Sequence, residues 1–193
     1  MHASLHESAA PSAWVQRFAG LIPQGEVLDL ACGSGRHAFL LAALGHPVTA
    51  VDRDPLALAR CAGAGITACQ VDLETDDARA GWPFGPARFS GIVVTRYLHR
   101  PLLPLIVESL APGGILIYET FATGNGEFGK PSNPAFLLAP GELLELAASS
   151  FEHALRVIAY EDGYVEIPNP AMLQRICAVK PSLAHSATAL RLN

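Results

Sequence analysis

Residues 27–38, VLDLACGSGRHA, decide the fold. The apolar residues that open this stretch suit a buried strand, the glycines suit a sharp turn, and the residues after them suit the start of a helix. Gly33 and Gly35 let the backbone turn tightly and let a ligand approach where any Cβ would collide. The stretch therefore predicts a strand, a ligand-binding turn and a helix in succession.

The same alternation of strand and helix patterns continues along the chain. A short helix carrying Trp14 and Phe18 is predicted near the N-terminus. Strands are predicted at residues 26–31, 47–52, 66–72, 89–95, 115–120, 154–160 and 173–180, and helices at 36–44, 55–64, 102–110 and 141–150. Strands joined by helical crossovers predict an α/β fold, a Rossmann-like doubly wound sheet with helices on both faces. Residues 160–164 are expected in a solvated hairpin between the last two strands.

The composition fits one domain with a large core. The chain has 193 residues, of which 50% are hydrophobic and 16% charged, and a formal net charge of −5. That charge offers phosphates no basic field, so we expect a small-molecule substrate and no nucleic acid partner. We predict a single domain over residues 1–180, with an N-terminal helical cover at 1–20, and a flexible tail at 181–193.

Cysteine spacing and apolar runs carry further expectations. The four cysteines are scattered without a C-x-x-C pair, so no metal site is predicted. The N-terminus lacks a basic and apolar leader, and no apolar run reaches the roughly 20 residues of a membrane-spanning helix. We therefore expect a cytoplasmic protein with no membrane partner.

Asp29 bears on the ligand of the glycine turn. The G-x-G-x-x-A pattern at residues 33–38 also fits a dinucleotide site. An acidic group just before the turn would repel the pyrophosphate of a dinucleotide. S-adenosylmethionine (SAM) has no phosphate, and an acidic strand end followed by free N–H groups can meet its zwitterionic tail. Asp29 therefore favours SAM over NAD.

Asp52 lies at the end of the next predicted strand. A carboxylate there can accept hydrogen bonds from both ribose hydroxyls, which is a feature that NAD and SAM sites share. Asp52 thus predicts a nucleoside ligand without choosing between the two.

At these residues the chain resembles the class I SAM-dependent methyltransferases, over about residues 27–180. The resemblance rests on the DLACGSG turn, the AVDRDP run around Asp52, the pair Asp72-Leu73, and the run LAPGGILIYET. It implies a seven-stranded, mostly parallel sheet whose last strand is antiparallel, with SAM as cofactor and S-adenosylhomocysteine as product. The small size and the closing run YEDG…QRICAVK are also similar to small bacterial methyltransferases of the tellurite-resistance type.

The resemblance also implies residue roles. Residues around the methionine part of SAM are Asp29, Gly33 and Gly35, the ribose residue is Asp52, and the adenine residues are Asp72 and Leu73. Ala31, Arg53 and Arg96 complete the predicted cofactor set.

Three residues on the carboxyl edge of the predicted sheet are candidates for catalysis: Tyr97, His99 and Glu119. His99 could take a proton near neutral pH, and Tyr97 could orient the sulfonium or the substrate. Glu119 could bind a substrate amine or act as a base. The alternatives are that His99 caps the next helix or faces water, and that Glu119 makes a structural hydrogen bond to the following loop.

Residues 121–139 are expected to form a lid or binding loop, because so long a connection is unusual inside a compact domain. Its Phe121, Asn125 and Phe128 could cover the site or pack onto the core. Arg96 and Arg100 could bind an anionic substrate or remain in solvent. His37, in the first turn of a predicted helix, is expected to be neutral and not a metal ligand.

Four functions compete at this point. Methylation of a small molecule or of a soft sulfur, selenium or tellurium nucleophile fits a single domain without a recognition module. RNA or protein methylation is an alternative, although RNA would need a basic groove. An NAD-dependent oxidoreductase is disfavoured by Asp29. A SAM-binding module without catalysis is the fourth possibility, because the turn and Asp52 predict only binding.

Overall fold

The computed structural model describes residues 10–149 and 154–182, which form a seven-stranded sheet. The strands are β1 (Val27–Leu30), β2 (Val48–Asp52), β3 (Ile66–Gln70), β4 (Phe89–Thr95), β5 (Leu110–Phe121), β6 (Arg156–Val165) and β7 (Ala171–Val179), in the order β3-β2-β1-β4-β5-β7-β6. The pairs from β3 to β5 are parallel, whereas β7 is antiparallel to both β5 and β6. The predicted fold class is confirmed, including the antiparallel last strand.

Six α-helices connect or cover these strands in the described part of the chain. They are α1 (Ala13–Phe18), α2 (Arg36–Ala43), α3 (Pro55–Leu58), α4 (Ala78–Gly81), α5 (Leu103–Ser109) and α6 (Glu142–Ala148). Short 3-10 turns occur at Ala19–Leu21, Arg100–Leu102, Asn125–Glu127 and Pro134–Phe136. Helix starts are fixed locally: the Ser12 hydroxyl accepts from the Trp14 N–H at 3.1 Å, and the Asp54 carboxylate accepts from the Leu56 N–H at 2.9 Å.

The central strands of the sheet are buried on both faces, whereas the edge strands β3 and β6 are largely exposed. On one face, α1 to α3 contribute Trp14, Phe18, Leu41 and Leu58 to a core cluster with alternate strand residues such as Val27. On the other face, α5 and α6 contribute Ile106, Leu143 and Leu146 to a cluster that includes Leu28 and Leu30. Each fully buried side chain of this size stabilises the fold by about 1.5–3 kcal/mol.

Several predicted elements differ from the structure at their ends, as β5 does, which begins at Leu110 and not at residue 115. The helix predicted at 55–64 ends at Leu58, because the chain leaves it through tight turns in which the N–H groups of Arg60 and Cys61 donate to Ala57 and Leu58 at 3.0 and 2.9 Å. Residues 160–164, predicted as a hairpin, continue β6, because its pairing with β7 extends to Val165 opposite Ala171. The structure describes only residues 181 and 182 of the predicted tail.

The order of the strands creates a crevice. β1 lies between β2 and β4, and the chain crosses from one side of β1 to the other after β3. Ligands of such sheets bind beyond the carboxyl ends of the strands at this reversal. The candidate site is therefore expected beyond Leu30, Asp52 and Thr95.

Two features are absent from the described residues. Within residues 10–149 and 154–182, no helix has the length and apolarity to cross a bilayer. The same residues hold no group of three or more His, Cys, Asp or Glu side chains able to bind a metal ion.

Candidate functional site

The glycine turn leaves β1 in left-handed backbone. Gly33 and Gly35 have φ of +55° and +83°, and Ala31 just before them has φ of +53°. A Cβ at position 35 would collide with the Cys61 sulfur, whereas a Cβ at position 33 would have no described atom within 4 Å. Gly35 is thus needed for packing against the chain after α3, and Gly33 faces open space that a ligand can occupy.

Asp52 ties the glycine turn to the end of β2. Its Oδ2 accepts from the Gly33 N–H at 2.8 Å, and its Oδ1 accepts from the Asp54 N–H at 2.9 Å. Each carboxylate oxygen has a second lone pair, so both remain able to accept from a ligand. The structure therefore gives Asp52 a role in shaping the turn that the sequence analysis did not predict.

A cleft of about 260 Å³ opens beyond β1, β2, β3 and β4. It is lined by six of the nine residues predicted for the cofactor: Ala31, Asp52, Arg53, Asp72, Leu73 and Arg96. Sequence reasoning missed Glu74, which also lines the cleft and forms an ion pair with Arg53 at 3.7 Å. Tyr97, predicted as catalytic, lines this cleft as well.

Asp29 lies behind the turn and does not line the cleft. It is 1% exposed, and burial raises the pKa of its carboxyl to about 8. The nearby Ala38 N–H, in the first turn of α2, opposes this shift. Its Oδ2 has no hydrogen-bond partner among the described residues. In this structure the Asp29 carboxyl is thus buried behind the turn, and its contact with the cofactor stays a prediction.

A second cavity of about 700 Å³ adjoins the first, and Arg96 lines both. Its walls come from the start of α1, the end of β5, the following loop, and the chain between β6 and β7. Four lining residues are cationic, Arg36, Arg96, Lys130 and Arg175, and one is acidic, Glu119. The described lining is therefore strongly electropositive.

Arg36 and Arg96 are neighbours within this lining. Burial lowers the pKa of Arg36, and the charge of Arg96 lowers it further. Neither guanidinium forms an ion pair or hydrogen bond within residues 10–149 and 154–182. Arg96 also has φ of +55°, a conformation that is strained for a residue with a Cβ. Strained residues of this kind tend to occur at functional sites.

Glu119 lies in the second cavity but is not a free base. Its carboxylate forms an ion pair with Arg175 at 2.6 Å, and Arg175 also contacts Glu161 at 3.1 Å. The Glu119 side chain is 9% exposed, and Arg175 already occupies one of its carboxylate oxygens. In place of the hydrogen bond to the lid that was the alternative, the structure shows this ion pair, and Glu119 as a base stays a prediction.

The other two catalytic candidates are not placed as a base either. His99 lines neither cavity, its Nε2 is buried without a described partner, and its side chain does not cap the next helix. Burial, with the charges of Glu74 and Asp72, raises the pKa of Tyr97. A base must reach the proton that it removes, so this placement does not favour a proton-accepting role for His99, which stays a prediction.

His37 holds the N-terminal helix against the site. Its Nε2 accepts from the Ser12 N–H at 3.1 Å, and its Nδ1 lies 3.4 Å from the Thr95 hydroxyl. Burial and the charges of Arg36 and Arg96 lower the pKa of His37 to about 3. The expectation of a neutral, hydrogen-bonded histidine is consistent with this geometry, and Ser12 lines the second cavity.

The loop after β5 is anchored at several points. Arg100 donates to both carboxylate oxygens of Glu142 at 2.7 and 2.9 Å and to the carbonyls of Ala135 and Leu137 at 2.9 and 2.8 Å. Buried Asn125 donates to the Pro131 carbonyl at 2.9 Å and accepts from the Met172 N–H at 3.1 Å. Arg100 is thus fully engaged in holding the loop, which corrects its prediction as a substrate-binding or solvated residue. Phe121 and Phe128 line the second cavity as a cover.

Comparison with known proteins agrees with this architecture. Residues 27–114 match a family described as "Methyltransferase domain". A protein-L-isoaspartate O-methyltransferase of Chlorobaculum tepidum is 36% identical over 98 residues, which cover 50% of this chain and 45% of that protein. The chain thus spans less than half the length of this relative.

Two solved structures share the fold across most of the chain. TehB from Haemophilus influenzae has a TM-score of 0.72 at 21% identity, covering 91% of this chain and 64% of that one. A TehB-like SAM-dependent methyltransferase from Corynebacterium glutamicum has a TM-score of 0.60 at 20% identity, covering 86% of each chain. At these identities the likeness concerns the fold. The resemblance to class I methyltransferases expected from the sequence is confirmed.

Proposed function

We propose that this chain, whose residues 27–114 match a methyltransferase domain, transfers the methyl group of SAM to a small molecule. One observation carries the proposal: a nucleoside-sized cleft meets a larger cavity at Arg96. A cofactor whose adenosine occupies the first space can present a reactive group to the second.

The smaller cleft suits adenosine. Asp52 offers carboxylate oxygens to the ribose hydroxyls, the apolar side chain of Leu73 offers a surface for the adenine ring, and Asp72 offers an acceptor to the adenine amino group. In the proposed complex the methionine part passes over Ala31 and Gly33, where the absence of a Cβ at position 33 leaves room. Asp29 and Gly35 support that turn from behind.

The reaction is an in-line displacement. A lone pair of the acceptor forms a bond to the methyl carbon, the carbon–sulfur bond breaks, and its electron pair neutralises the sulfonium to give S-adenosylhomocysteine. Since SAM already carries a good leaving group, the protein mainly aligns the two partners and excludes water. The anchored loop and α1, fixed by His37, serve this purpose by covering the cavity.

The acceptor needs little help from a base in this proposal. The carboxylate of Glu119 is paired with Arg175, and no histidine is among the described residues of the cavity wall. A nucleophile that arrives ionised, or a soft one such as a thiol, selenol or tellurium oxyanion product, fits such a wall. The proposed catalytic contribution of Tyr97 is orientation of the sulfonium from the cleft that it lines.

Methylation of a protein is the second candidate, because the Chlorobaculum tepidum relative is named for that reaction. The size of the larger cavity, about 700 Å³, favours a small acceptor instead. The cytoplasmic location expected from the sequence stays a prediction.

A two-stage experiment tests the function. Calorimetry with SAM, S-adenosylhomocysteine and NAD first identifies the ligand, and we expect binding of the first two only. A labelled-methyl assay then offers thiols, selenite and tellurite, small organic acids, bulk RNA and an isoaspartyl peptide. Transfer to a small acceptor supports the proposal. NAD binding would overturn the cofactor assignment, label on the peptide or RNA alone would overturn the acceptor class, and SAM binding without any transfer would indicate a binding module.

A further inference from the structure

We propose that the acceptor is a small organic carboxylate, whose anionic group lies beside Arg96 and Arg36 and whose apolar body lies against Phe128 and Ile167. The inference rests on the proposed function and narrows its substrate class. Three features of the larger cavity support it: its charge, its size and the apolar side chains at its rim.

The positive charge of the cavity lining favours an anionic ligand even after the cofactor has bound. Of the four lining cations, only Arg175 is paired with the single lining carboxylate, Glu119. SAM adds an ammonium, a sulfonium and one carboxylate, which is one net positive charge. Its carboxylate can neutralise at most one guanidinium, so the cavity remains positive after the cofactor binds. Clustered positive charge along a cavity wall attracts an anionic ligand.

Arg96 has the position that recognition of an acceptor requires. It is the residue that the two cavities share, so a group bound to it lies close to the junction where methyl transfer takes place. Its backbone lies in the left-handed region, which is unfavourable for a residue with a Cβ and tends to occur at functional sites. An arginine fork matches both oxygens of a carboxylate, which gives direction as well as charge.

The size of the cavity favours an organic acceptor over an inorganic oxyanion. Cavities of roughly 300–1,000 Å³ hold organic ligands of drug-like size, and this one measures about 700 Å³. An inorganic oxyanion of a few atoms would leave most of that volume to water. A ligand that fills the remaining space therefore has an organic part as well as a charged group.

The rim of the cavity supplies apolar surface for that body. Phe128 and Ile167 line the cavity with exposures of 42% and 82%, and the Phe128 ring packs against the half-exposed Tyr164 ring at 4.9 Å between centroids. A ligand that covers large apolar side chains at the mouth of a cavity removes apolar surface from water, which stabilises the complex. The lining therefore combines cationic side chains with exposed apolar side chains, which matches an amphipathic anion.

Calorimetry on protein saturated with S-adenosylhomocysteine tests this class with defined probes. The probes are acetate, 3-phenylpropionate and octanoate, the amides of the same three acids, and selenite. We expect the two larger acids to bind at least about tenfold more tightly than their amides, which is the usual worth of a charge-assisted hydrogen bond. We also expect them to bind more tightly than acetate and selenite, because these two lack an apolar body.

Variants assign the binding energy to the two ends of the cavity. Arg96→Asn, chosen because asparagine tolerates left-handed backbone, should weaken 3-phenylpropionate about tenfold or more, while Ile167→Ser should weaken it less and leave acetate and selenite unchanged. Arg60→Gln, at an exposed arginine that lines neither cavity, is the control and should change neither. Amides that bind as well as the acids, acids that fail to bind, or an Arg96→Asn variant with wild-type affinity would each overturn the proposal. Failure of the proposed function shows separately, as absence of S-adenosylhomocysteine binding in the first titration.

Discussion

The Nε2 atom of His37 accepts a hydrogen bond from the backbone N–H of Ser12 at 3.1 Å, across 25 residues of sequence. Since a backbone N–H can only donate, Nε2 carries the lone pair and the proton of the neutral ring is on Nδ1, which faces the Thr95 hydroxyl at 3.4 Å. Protonation of the ring would replace the acceptor at Nε2 by a donor. The hydrogen bond that fixes Ser12, the N-cap of α1, thus depends on a neutral histidine.

This dependence predicts how stability changes with pH. The pKa of His37 is lowered to about 3 in the folded chain, against 6.5 in the unfolded one. The unfolded chain therefore takes up the proton first as the pH falls, so the stabilisation is present above pH 6.5 and is lost below it. Relative to His37→Gln, the wild type should lose about 2 kcal/mol of unfolding free energy between pH 6.5 and 5, as urea titrations would measure. Parallel pH curves for the two proteins would contradict the neutral assignment.

Asp29 has the opposite linkage. Burial raises the pKa of its carboxyl to about 8, so its contribution to stability is fully present below about pH 4 and is lost as the pH rises towards 8. Asp29→Asn should therefore stabilise the fold by an amount that grows over this range, to about 2 kcal/mol net at pH 7 once the burial of the amide is allowed for. Urea titrations at pH 4 and pH 7 give the difference. A variant that is less stable at pH 7 than at pH 4, relative to the wild type, would show that the carboxyl is ionised in the fold.

Ala31 is strained where it lines the cofactor cleft. Its φ of +53° lies in the left-handed region, which costs a residue with a Cβ roughly 1–2 kcal/mol. Ala31→Gly removes the collision but gives more freedom to the unfolded chain, so a net stabilisation of about 0.5–1 kcal/mol is expected. Ala87→Gly, at φ of +51° and outside both cavity linings, should show the same sign. Ala42→Gly, inside α2, is the matched control and should destabilise by about 1 kcal/mol.

Asp52 should control cofactor affinity in two ways. Asp52→Ala removes the acceptor proposed for the ribose and the acceptor of the Gly33 N–H, so SAM binding should weaken by about 1–3 kcal/mol. Asp54→Ala loses only the N-cap of α3 and does not line the cleft, so it serves as the control for local structural damage. Calorimetry with S-adenosylhomocysteine measures both. Equal affinity of the Asp52→Ala variant and the wild type would place the nucleoside elsewhere.

Sequence patterns predicted the parts of the molecule whose structure depends on residues close together in the chain. β4 coincides with its predicted bounds because a continuous apolar run is typical of a strand covered on both faces. The glycine turn and Asp52 were found because only a few residue types suit such a turn and a strand end of this kind. The roles of Glu119 and His37 escaped prediction because their partners, Arg175 and Ser12, are distant in sequence and approach only in the folded chain. The short α3 reflects the packing of Cys61 under Gly35, which no helix propensity encodes.

Arg100 should determine whether the loop after β5 covers the larger cavity. Its guanidinium joins the carboxylate of Glu142 and two loop carbonyls, and Arg100→Gln loses the charge and the fork geometry together. We expect a loss of about 1–2 kcal/mol of stability, since the ion pair is partly exposed, and faster limited proteolysis within residues 129–135. The acceptor KM should rise while cofactor affinity stays unchanged, because the loop does not line the smaller cleft.

Arg79→Gln, which breaks an exposed ion pair with Glu108 at 2.9 Å, controls for loss of a surface charge and should change the proteolysis rate little. If Arg100→Gln leaves both the loop cleavage and the acceptor KM at wild-type values, the loop is held by Asn125 and the strand contacts alone, and Arg100 has no part in closing the cavity.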